Sequence, residues 1–263
     1  MIINPYMFSV AYDTDALAYF TANTSITSSA DKSAINDFYL GLKSDGVYTS
    51  IGAMYLPIWG STNSKWNLIT PVDNDASFRL TFTGGLTYAS TGITPNGTTG
   101  YANTHYNVNT NGSINSCHLS FYSRTSIDVS SSEEMGCLTD ASTRHEFSIN
   151  SVGTAYLTLN ANNSYATYGP TSLSTKLYIG TRTASNLTTI YRDGTSIASS
   201  TNASTSKPSY DIYIFGRNLA GTANSFSTKQ GSFMSIGLGL DSTKALALNN
   251  RVTTLLTYFG INV

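Results

Sequence analysis

Three glutamates are the residues with which this chain could perform acid–base chemistry, and their spacing limits what they can do. Glu133 and Glu134 are adjacent, and Glu146 stands apart beside His145. Hydrolysis of a glycosidic bond needs two carboxyl groups that face the same bond. Because neighbouring residues of a β-strand point to opposite faces, Glu133 and Glu134 are not expected to form such a pair. The glutamates therefore predict no glycoside hydrolase.

Histidine and cysteine are equally sparse. The three histidines and two cysteines are His105, His118, His145, Cys117 and Cys137. No Gly-x-Ser-x-Gly elbow accompanies the histidines, and no Cys-x-x-Cys or His-x-x-x-His spacing supports a zinc site. The cysteines either form one disulfide or remain buried thiols, and the alternation of Cys117 with apolar residues favours thiols. We predict a protein that is not an enzyme and has no catalytic residues and no cofactor.

Two further groups could bind a ligand without catalysing a reaction. Asp73, Asn74 and Asp75 offer oxygen ligands in a loop, as calcium sites of lectin-like sandwiches do; the alternative is a turn and cap. Trp59 and Trp66 could present aromatic rings to a sugar, although large aromatic side chains more often pack in the interior. The acidic loop and the two tryptophans are the candidate calcium and glycan sites.

Charge is scarce throughout the chain. Charged residues make up 11% of the sequence, and the net charge is −1. Because phosphate binding needs clustered lysine and arginine, the scattered basic residues argue against nucleic-acid binding. No apolar run reaches the roughly 18–20 residues that cross a bilayer, and the N-terminus lacks a secretory pattern. Neither a membrane span nor export is expected.

An uncharged composition rich in Ser, Thr, Asn and Tyr is typical of proteins that face the outside world. Nothing in this chain marks it for export, however. Components of a virus particle reconcile the two observations, because they are made in the host cytoplasm and released by lysis. The composition therefore favours a virion protein.

The periodicity of apolar residues predicts a mainly β fold with three helices. Short helices are predicted over 16–21 and between a cap at Ser29 and Gly46. A longer amphipathic helix is predicted after a cap at Asp241 or Ser242. Between them, apolar residues recur at every second position in short runs separated by Gly, Asn and Ser. This pattern is typical of a β-sandwich or jelly roll.

Two stretches allow sharper predictions of strand structure. Alternating apolar residues at 78–82 predict a strand. A two-residue type I′ turn at Asp193-Gly194 would place Ile190 opposite Ile197, with both side chains on one face. The second stretch is therefore predicted to be a hairpin of the sandwich core.

The first 12 residues differ from the rest because their apolar side chains follow neither the period of a helix nor that of a strand. These side chains are Ile2, Ile3, Tyr6, Phe8 and Tyr12. They are expected either to dock on a neighbouring subunit as an assembly arm or to cover an edge of their own sandwich. The predicted organisation is a docking arm at 1–12, a helical segment at 13–50, and a sandwich with its C-terminal helix at 51–263.

Several motifs together resemble a recurrent group of bacteriophage proteins. The most specific are PNGTTGYANT at 95–104 and FSTKQGSFMSIGLGL at 226–240, with HLSFYSRT and the YRDG hairpin between them. The resemblance covers 15–263 and is to virion structural proteins with a concanavalin A-like, or laminin-G-like, jelly-roll domain. It implies a non-enzymatic head-decoration, head-fibre or tail component and supplies no catalytic residues.

The resemblance also implies partners and a location. Other virion proteins of the capsid or tail, and further copies of this chain in a homo-oligomer, are the expected partners, and the virion is the expected location. The alternative interpretation is a glycan-binding adhesion module that contacts the host surface. The two interpretations are compatible with one another.

Overall fold

Four of the five α-helices begin at a side-chain cap in the computed structural model, which describes residues 11–170 and 174–263. They are α1 (Thr14–Ala22), α2 (Ser29–Ser44), α3 (Gly60–Asn63), α4 (Val108–Asn111) and α5 (Ser242–Tyr258). The side chains of Asp13, Ser28 and Asp241 accept hydrogen bonds from backbone N–H groups in α1, α2 and α5. The predicted N-terminal helical pair and C-terminal helix are confirmed. Among the described residues, no helix is both long and apolar enough to cross a membrane.

Most of the regular secondary structure of the described residues is β-strand. The strands are β1 (Ile51–Tyr55), β2 (Thr81–Thr83), β3 (Leu86–Ala89), β4 (Gly92–Pro95), β5 (Tyr101–Asn107), β6 (Cys117–Ser123), β7 (Met135–Asp140), β8 (Thr143–Ser151), β9 (Thr154–Ala161), β10 (Ala166–Tyr168), β11 (Lys176–Ala184), β12 (Leu187–Arg192), β13 (Thr195–Ser200), β14 (Asp211–Ile214), β15 (Arg217–Leu219), β16 (Thr222–Asn224) and β17 (Gly231–Gly237).

These strands form the two sheets of a β-sandwich. The first sheet has the order β13-β12-β11-β6-β17-β4-β3, with β1 also paired to β17. The second sheet has the order β10-β9-β8-β7-β14-β5-β2, and β15 joins it beside β7 with β16 as its hairpin partner. Within the described strands the pairing is antiparallel, except that β15 runs parallel to β7. The predicted mainly β sandwich is confirmed.

The first sheet lies between two apolar cores. In β11, Tyr178 packs in the core between the sheets, whereas Leu177 and Ile179 pack beneath the helices. In β6, Phe121 likewise packs in the core between the sheets, and Tyr122 packs beneath the helices. Because both faces are covered, β6 and β17 are buried along their whole length.

The helices make one layer over the first sheet. α2 contributes Ile35 and Phe38 to the same core as Leu248 and Leu255 of α5. Lateral contact between the two helices includes an ion pair in which Arg251 Nε lies 2.7 Å from an Asp45 oxygen. The N-terminal helices and the C-terminal helix therefore share one core, although they come from opposite ends of the chain.

The predicted hairpin forms, and its register agrees with the two-residue turn at Arg192–Thr195 and Tyr191–Ser196 but not beyond them. Asp193 and Gly194 have φ values of 49° and 75°, as a type I′ turn requires. Ile190 pairs with Ala198 and not with Ile197, because the register shifts next to Ile190. The prediction of an Ile190–Ile197 pair is therefore wrong, and a β-bulge is the reason.

The strand predicted over 78–82 is shorter than expected. Asp75–Ser77 forms a 3-10 turn in which the Ser77 N–H donates to the Asn74 side chain. Phe78 then has a left-handed φ of 58°, and regular pairing begins only at β2. The apolar alternation reflects side chains that pack on the core from a turn, which periodicity alone does not distinguish from a strand.

Candidate functional site

The second sheet carries a polar cluster on the face that points away from the core between the sheets. On β8, Phe147 and Ile149 lie in that core, so Glu146 projects to the opposite face. Gly136 lies directly opposite Glu146 on β7. A Cβ at position 136 would come within 2.6 Å of the Glu146 Cβ. The glycine therefore makes room for the glutamate.

Two guanidinium groups and a phenol hold the Glu146 carboxylate. Arg144 Nη1 lies 2.8 Å from Oε1, and Arg217 Nη1 lies 3.0 Å from Oε2. The Tyr165 hydroxyl lies 3.1 Å from Oε1 and accepts a hydrogen bond from Arg144 at 2.8 Å. Only 2% of the Glu146 side chain is exposed. A carboxylate this buried is stable only when paired, and here both oxygens have a cationic partner.

Glu133 is the second carboxyl group of the cluster and is far less well satisfied. Its Oε1 lies 3.8 Å from Arg217 Nη1, which is beyond hydrogen-bond distance. Its Oε2 is buried and has no hydrogen-bond partner in the described part of the chain. Burial, and next the nearby Glu146 carboxylate, raise the pKa of Glu133 well above its usual value. An unpaired buried carboxyl oxygen is uncommon enough to suggest that a ligand completes it.

A cavity of about 260 Å³ opens beside Glu133, lined by Glu133, Ser151, Tyr156 and Tyr165. The two tyrosine rings meet edge to face, with centroids 5.8 Å apart. Burial, and next the Glu146 carboxylate, raise the pKa of Tyr165, so its hydroxyl stays protonated at neutral pH. The cavity thus combines aromatic surface, hydroxyl groups and the carboxyl group of Glu133.

The sequence interpretation of the glutamates is corrected by this geometry. It considered Glu133 only with Glu134 and left Glu146 alone, whereas Arg217 lies between Glu133 and Glu146. Glu134 belongs elsewhere, in a buried ion pair with Lys229. The cluster was missed because Arg217 is 71 residues from Glu146 along the chain. The sequence signal that could have revealed the cluster is Gly136, which lies opposite Glu146 in the β7–β8 hairpin. Its use requires that the register of that hairpin is already known.

The two tryptophans predicted to contact a glycan lie on the helical side of the molecule. Trp59 and Trp66 are partly buried and pack against the core beneath the helices. The Trp59 ring meets Phe259 edge to face at 5.5 Å. Lys65 Nζ lies 4.7 Å from the Trp66 ring centroid. Neither ring is part of the cluster on the second sheet, and a glycan contact at these residues stays a prediction.

The acidic loop predicted to bind calcium is occupied by basic side chains. Asp73 lies 2.6 Å from Lys65 and 3.1 Å from Arg79, and Asp75 lies 3.0 Å from Arg79. Asn74 caps the following turn, which was the alternative interpretation. Across 11–170 and 174–263, no group of three or more His, Cys, Asp and Glu side chains is placed to hold a metal ion. Asp73 and Asp75 are therefore explained by ion pairing.

Only one residue of the predicted assembly arm can be placed. Tyr12 packs against the helical core and meets Phe20 edge to face at 5.3 Å. The other arm residues lie outside the described residues: Ile2, Ile3, Tyr6 and Phe8. Tyr12 therefore covers its own chain, whereas the assembly role of the arm stays a prediction.

The cysteines are buried free thiols, as the sequence favoured. Cys117 and Cys137 are unpaired by disulfide and buried. Burial raises the pKa of Cys117 to about 12. His145, opposite Cys137, hydrogen-bonds Asn160 at 2.9 Å, and burial lowers the pKa of His145 to about 4. These groups are part of the core and not of an exposed site.

Comparison with known proteins bears on the fold. No protein-family model and no curated protein sequence matches this chain. Trypanosoma rangeli sialidase, in complex with a difluoro-KDN, is similar in structure, with a TM-score of 0.56 and 12% identity over 86% of this chain and 39% of that chain. Its difluorosialic acid complex matches with a TM-score of 0.55 and 13% identity over the same shares of the two chains. The shared feature is a β-sandwich fold.

The match to a third solved structure extends over most of that structure's length. Domain 4 of AbnA, a GH43 extracellular arabinanase from Geobacillus stearothermophilus in complex with arabinotriose, matches with a TM-score of 0.49 and 12% identity. It covers 76% of this chain and 98% of that domain. This chain spans about two-fifths of the sialidase, so the similarity describes one part of that protein.

Proposed function

We propose that this chain is a non-enzymatic glycan-binding module that takes one sugar ring into the cavity beside Glu133. The observation that supports it most directly is the Glu133 carboxyl group in the cavity wall, whose Oε2 is buried without a hydrogen-bond partner among the described residues. A sugar hydroxyl is a donor of the size and polarity that would satisfy this carboxyl group. The proposal is also supported by the two tyrosines, since sugar rings pack their C–H faces on aromatic side chains.

The size of the cavity supports a small ligand. Its volume of about 260 Å³ is just below the roughly 300–1,000 Å³ of sites for drug-sized ligands. Tyr156 and Tyr165 supply aromatic surface, and Ser151 and Glu133 supply polar atoms. A few polar groups beside aromatic walls are the usual composition of a selective small-molecule site.

Binding is favoured over hydrolysis by the state of the carboxyl groups. Hydrolysis would need an acid and a second carboxylate that is free to act as a base or nucleophile. Both Glu146 oxygens are held by guanidinium groups, and the raised pKa of Tyr165 makes it a poor nucleophile. Glu133 alone remains, so the geometry supports recognition of a sugar.

A glycan array tests the proposal. Wild-type chain is expected to bind a subset of glycans, and Glu133→Ala and Tyr156→Ala are expected to weaken binding by about tenfold or more. Tyr258→Ala is the matched control, because Tyr258 is an exposed tyrosine on α5. A flat array for wild-type chain, or equal loss in Tyr258→Ala, would contradict the proposal.

Display of the module on a phage particle is a further part of the proposal, supported by the sequence resemblance. It is tested by quantitative mass spectrometry of gradient-purified particles with heads and tails separated. Abundance in the head fraction would indicate a decoration or head-fibre protein, and a few copies with the tails would indicate an adhesion component. Absence from both fractions would overturn the virion assignment.

A further inference from the structure

We propose that the sugar bound beside Glu133 is an acidic one, and that its carboxylate pairs with Arg144 and Arg217. This inference rests on the proposed glycan-binding function and specifies its ligand. It is drawn from the charges and unused hydrogen-bond donors of the cluster on the second sheet.

The first step is the charge that surrounds the cavity. Two guanidinium groups, those of Arg144 and Arg217, share the single carboxylate of Glu146. The neighbouring Lys229 and Glu134 neutralise each other at 3.0 Å. If Glu133 is uncharged, the two arginines and Glu146 together keep one excess positive charge. An anionic ligand would balance that charge.

The second step is that the geometry favours an uncharged Glu133. An ionised carboxylate needs partners for both oxygens, and burying one without them is strongly unfavourable. Oε1 is 3.8 Å from Arg217 and Oε2 has no partner among the described residues. Glu146 pairs with the same Nη1 atom of Arg217 and repels a second negative charge. The raised pKa of Glu133 agrees with this geometry.

The third step is that both arginines keep donors free. Arg144 uses Nε for the Ala141 carbonyl and Nη1 for Glu146 and Tyr165. Arg217 uses Nε for Asn224 and Nη1 for Glu146. Within the described chain, Nη2 of neither arginine donates a hydrogen bond to Glu146 or to another acceptor. Guanidinium groups with free Nη2 donors are well suited to a carboxylate.

The position of the arginines connects these donors to the cavity. Arg144 contacts the Tyr165 hydroxyl, and Arg217 lies nearest the Glu133 carboxyl, so each touches a residue of the cavity wall. Both side chains are partly exposed, at 15% and 20%. Neither arginine is itself a lining residue, so the ring carboxylate is proposed to extend past Glu133 and Tyr165 to the two guanidinium groups behind them.

Matched sugars test the charge preference. Calorimetry and saturation-transfer NMR would compare methyl glucuronide with methyl glucoside, and galacturonide with galactoside, which differ only in the C6 group. We expect the acidic member of a pair to bind about tenfold more tightly or better, with affinity falling as salt rises. Equal or tighter binding of the neutral members would overturn the acidic ligand while leaving glycan binding intact. Binding of neither, together with a flat array, would overturn the proposed function itself.

Two variants give an independent readout. Arg217→Gln is expected to bring the ratio of acidic to neutral affinity close to one. Because this change also removes a partner of Glu146, Glu133→Gln serves as a second variant that preserves shape and removes ionisation. Glu133→Gln is expected to leave the acidic affinity within about threefold of wild type. A large gain in acidic affinity would show that Glu133 is ionised in wild type, which would contradict the inference.

Discussion

Lys229 and Glu134 form an ion pair with no solvent exposure, in which Lys229 Nζ lies 3.0 Å from Glu134 Oε1. The lysine also donates to the backbone carbonyl of Asn150 at 3.1 Å. Glu134 accepts from the Ser227 hydroxyl at 2.9 Å and from the Ile149 N–H at 2.6 Å. The pair therefore provides hydrogen-bond partners for two backbone groups of β8, the Ile149 N–H and the Asn150 carbonyl. Because Lys229 precedes β17, the ion pair also links that segment to the second sheet.

Removal of the lysine is expected to destabilise the fold strongly. Lys229→Met would leave the Glu134 carboxylate buried and uncompensated, at a cost of about 3–5 kcal/mol in the free energy of unfolding. Urea unfolding followed by tyrosine fluorescence measures the change. The double variant Lys229→Met, Glu134→Gln should recover part of the loss, because no charge is then left unpaired. Unchanged stability of the single variant would contradict this role of the pair.

Mild acid is expected to weaken the fold through two buried histidines. Burial lowers the pKa values of His118 and His145 to about 4, from 6.5. Between pH 6.5 and 4 the unfolded chain therefore binds protons that the native chain does not, so stability falls as the pH falls. Each histidine contributes up to roughly 3 kcal/mol to this loss.

Urea unfolding at several pH values between 7 and 4 measures this dependence. The window separates the histidines from the paired aspartates, such as Asp45, whose pKa lies below 3.8 because of its hydrogen bond with Arg251. Asp45 contributes stability that is lost only as the pH falls below about 4. The raised pKa of Glu133 acts in the opposite direction in this window, because the native chain then holds a proton that the unfolded chain releases. The profile is therefore measured in Glu133→Gln, where a stability that is flat from pH 6.5 to 4.5 would show that the histidines are not buried in the neutral form.

Gly136→Ala is expected to damage the candidate site. The added Cβ would meet the Glu146 Cβ at 2.6 Å and its Cα at 2.8 Å, and these atoms belong to a paired strand and cannot move freely. Overpacking of this kind costs about 1–3 kcal/mol. Displacement of Glu146 should also reduce sugar binding on the array.

Gly260→Ala is the control for that substitution. Gly260 has a φ of 67° and nothing within 4 Å of an added Cβ, so the change costs backbone strain but no packing. It should lower stability by about 1 kcal/mol and leave sugar binding unchanged. Normal sugar binding by Gly136→Ala would show that Glu146 does not depend on the glycine.

The two thiols are expected to be unreactive in the native chain. Burial raises the pKa values of Cys117, to about 12, and of Cys137, and a thiol reacts through its thiolate. Titration with a disulfide reagent should therefore label neither thiol in native buffer and both in urea. Rapid labelling of either thiol in native buffer would contradict its place in the core.

Local sequence was sufficient to predict structure that depends on a few neighbouring residues. The predicted cap at Asp241 and the turn at Asp193 depend on short-range hydrogen bonds and backbone preferences, whereas α2 is capped by Ser28, one residue before the predicted Ser29. Asn96, in the PNGTTGYANT motif, is another such residue, since its side chain accepts from the N–H groups of positions 98–100. Alternating apolar residues likewise predicted the sandwich, because a period of two places one face of each strand in a core.

Periodicity did not reveal which strands are buried on both faces. The apolar neighbours Phe121 and Tyr122 serve two different cores, and the second core exists only because helices from both ends of the chain cover the first sheet. The bulge beside Ile190 is a similar case, since strand register depends on partners and not on the strand alone.

The candidate site was decided entirely by tertiary structure. Glu133, Glu146 and Arg217 meet because β15 runs beside β7, which brings together residues that are up to 84 positions apart along the chain. A lone glutamate and a lone arginine carry no sequence signal of such a meeting. The sequence by itself determined the main helices, the turn at Asp193-Gly194 and the sandwich, since these follow from local geometry and apolar period, whereas strand register and the pairing of charges depended on long-range strand order.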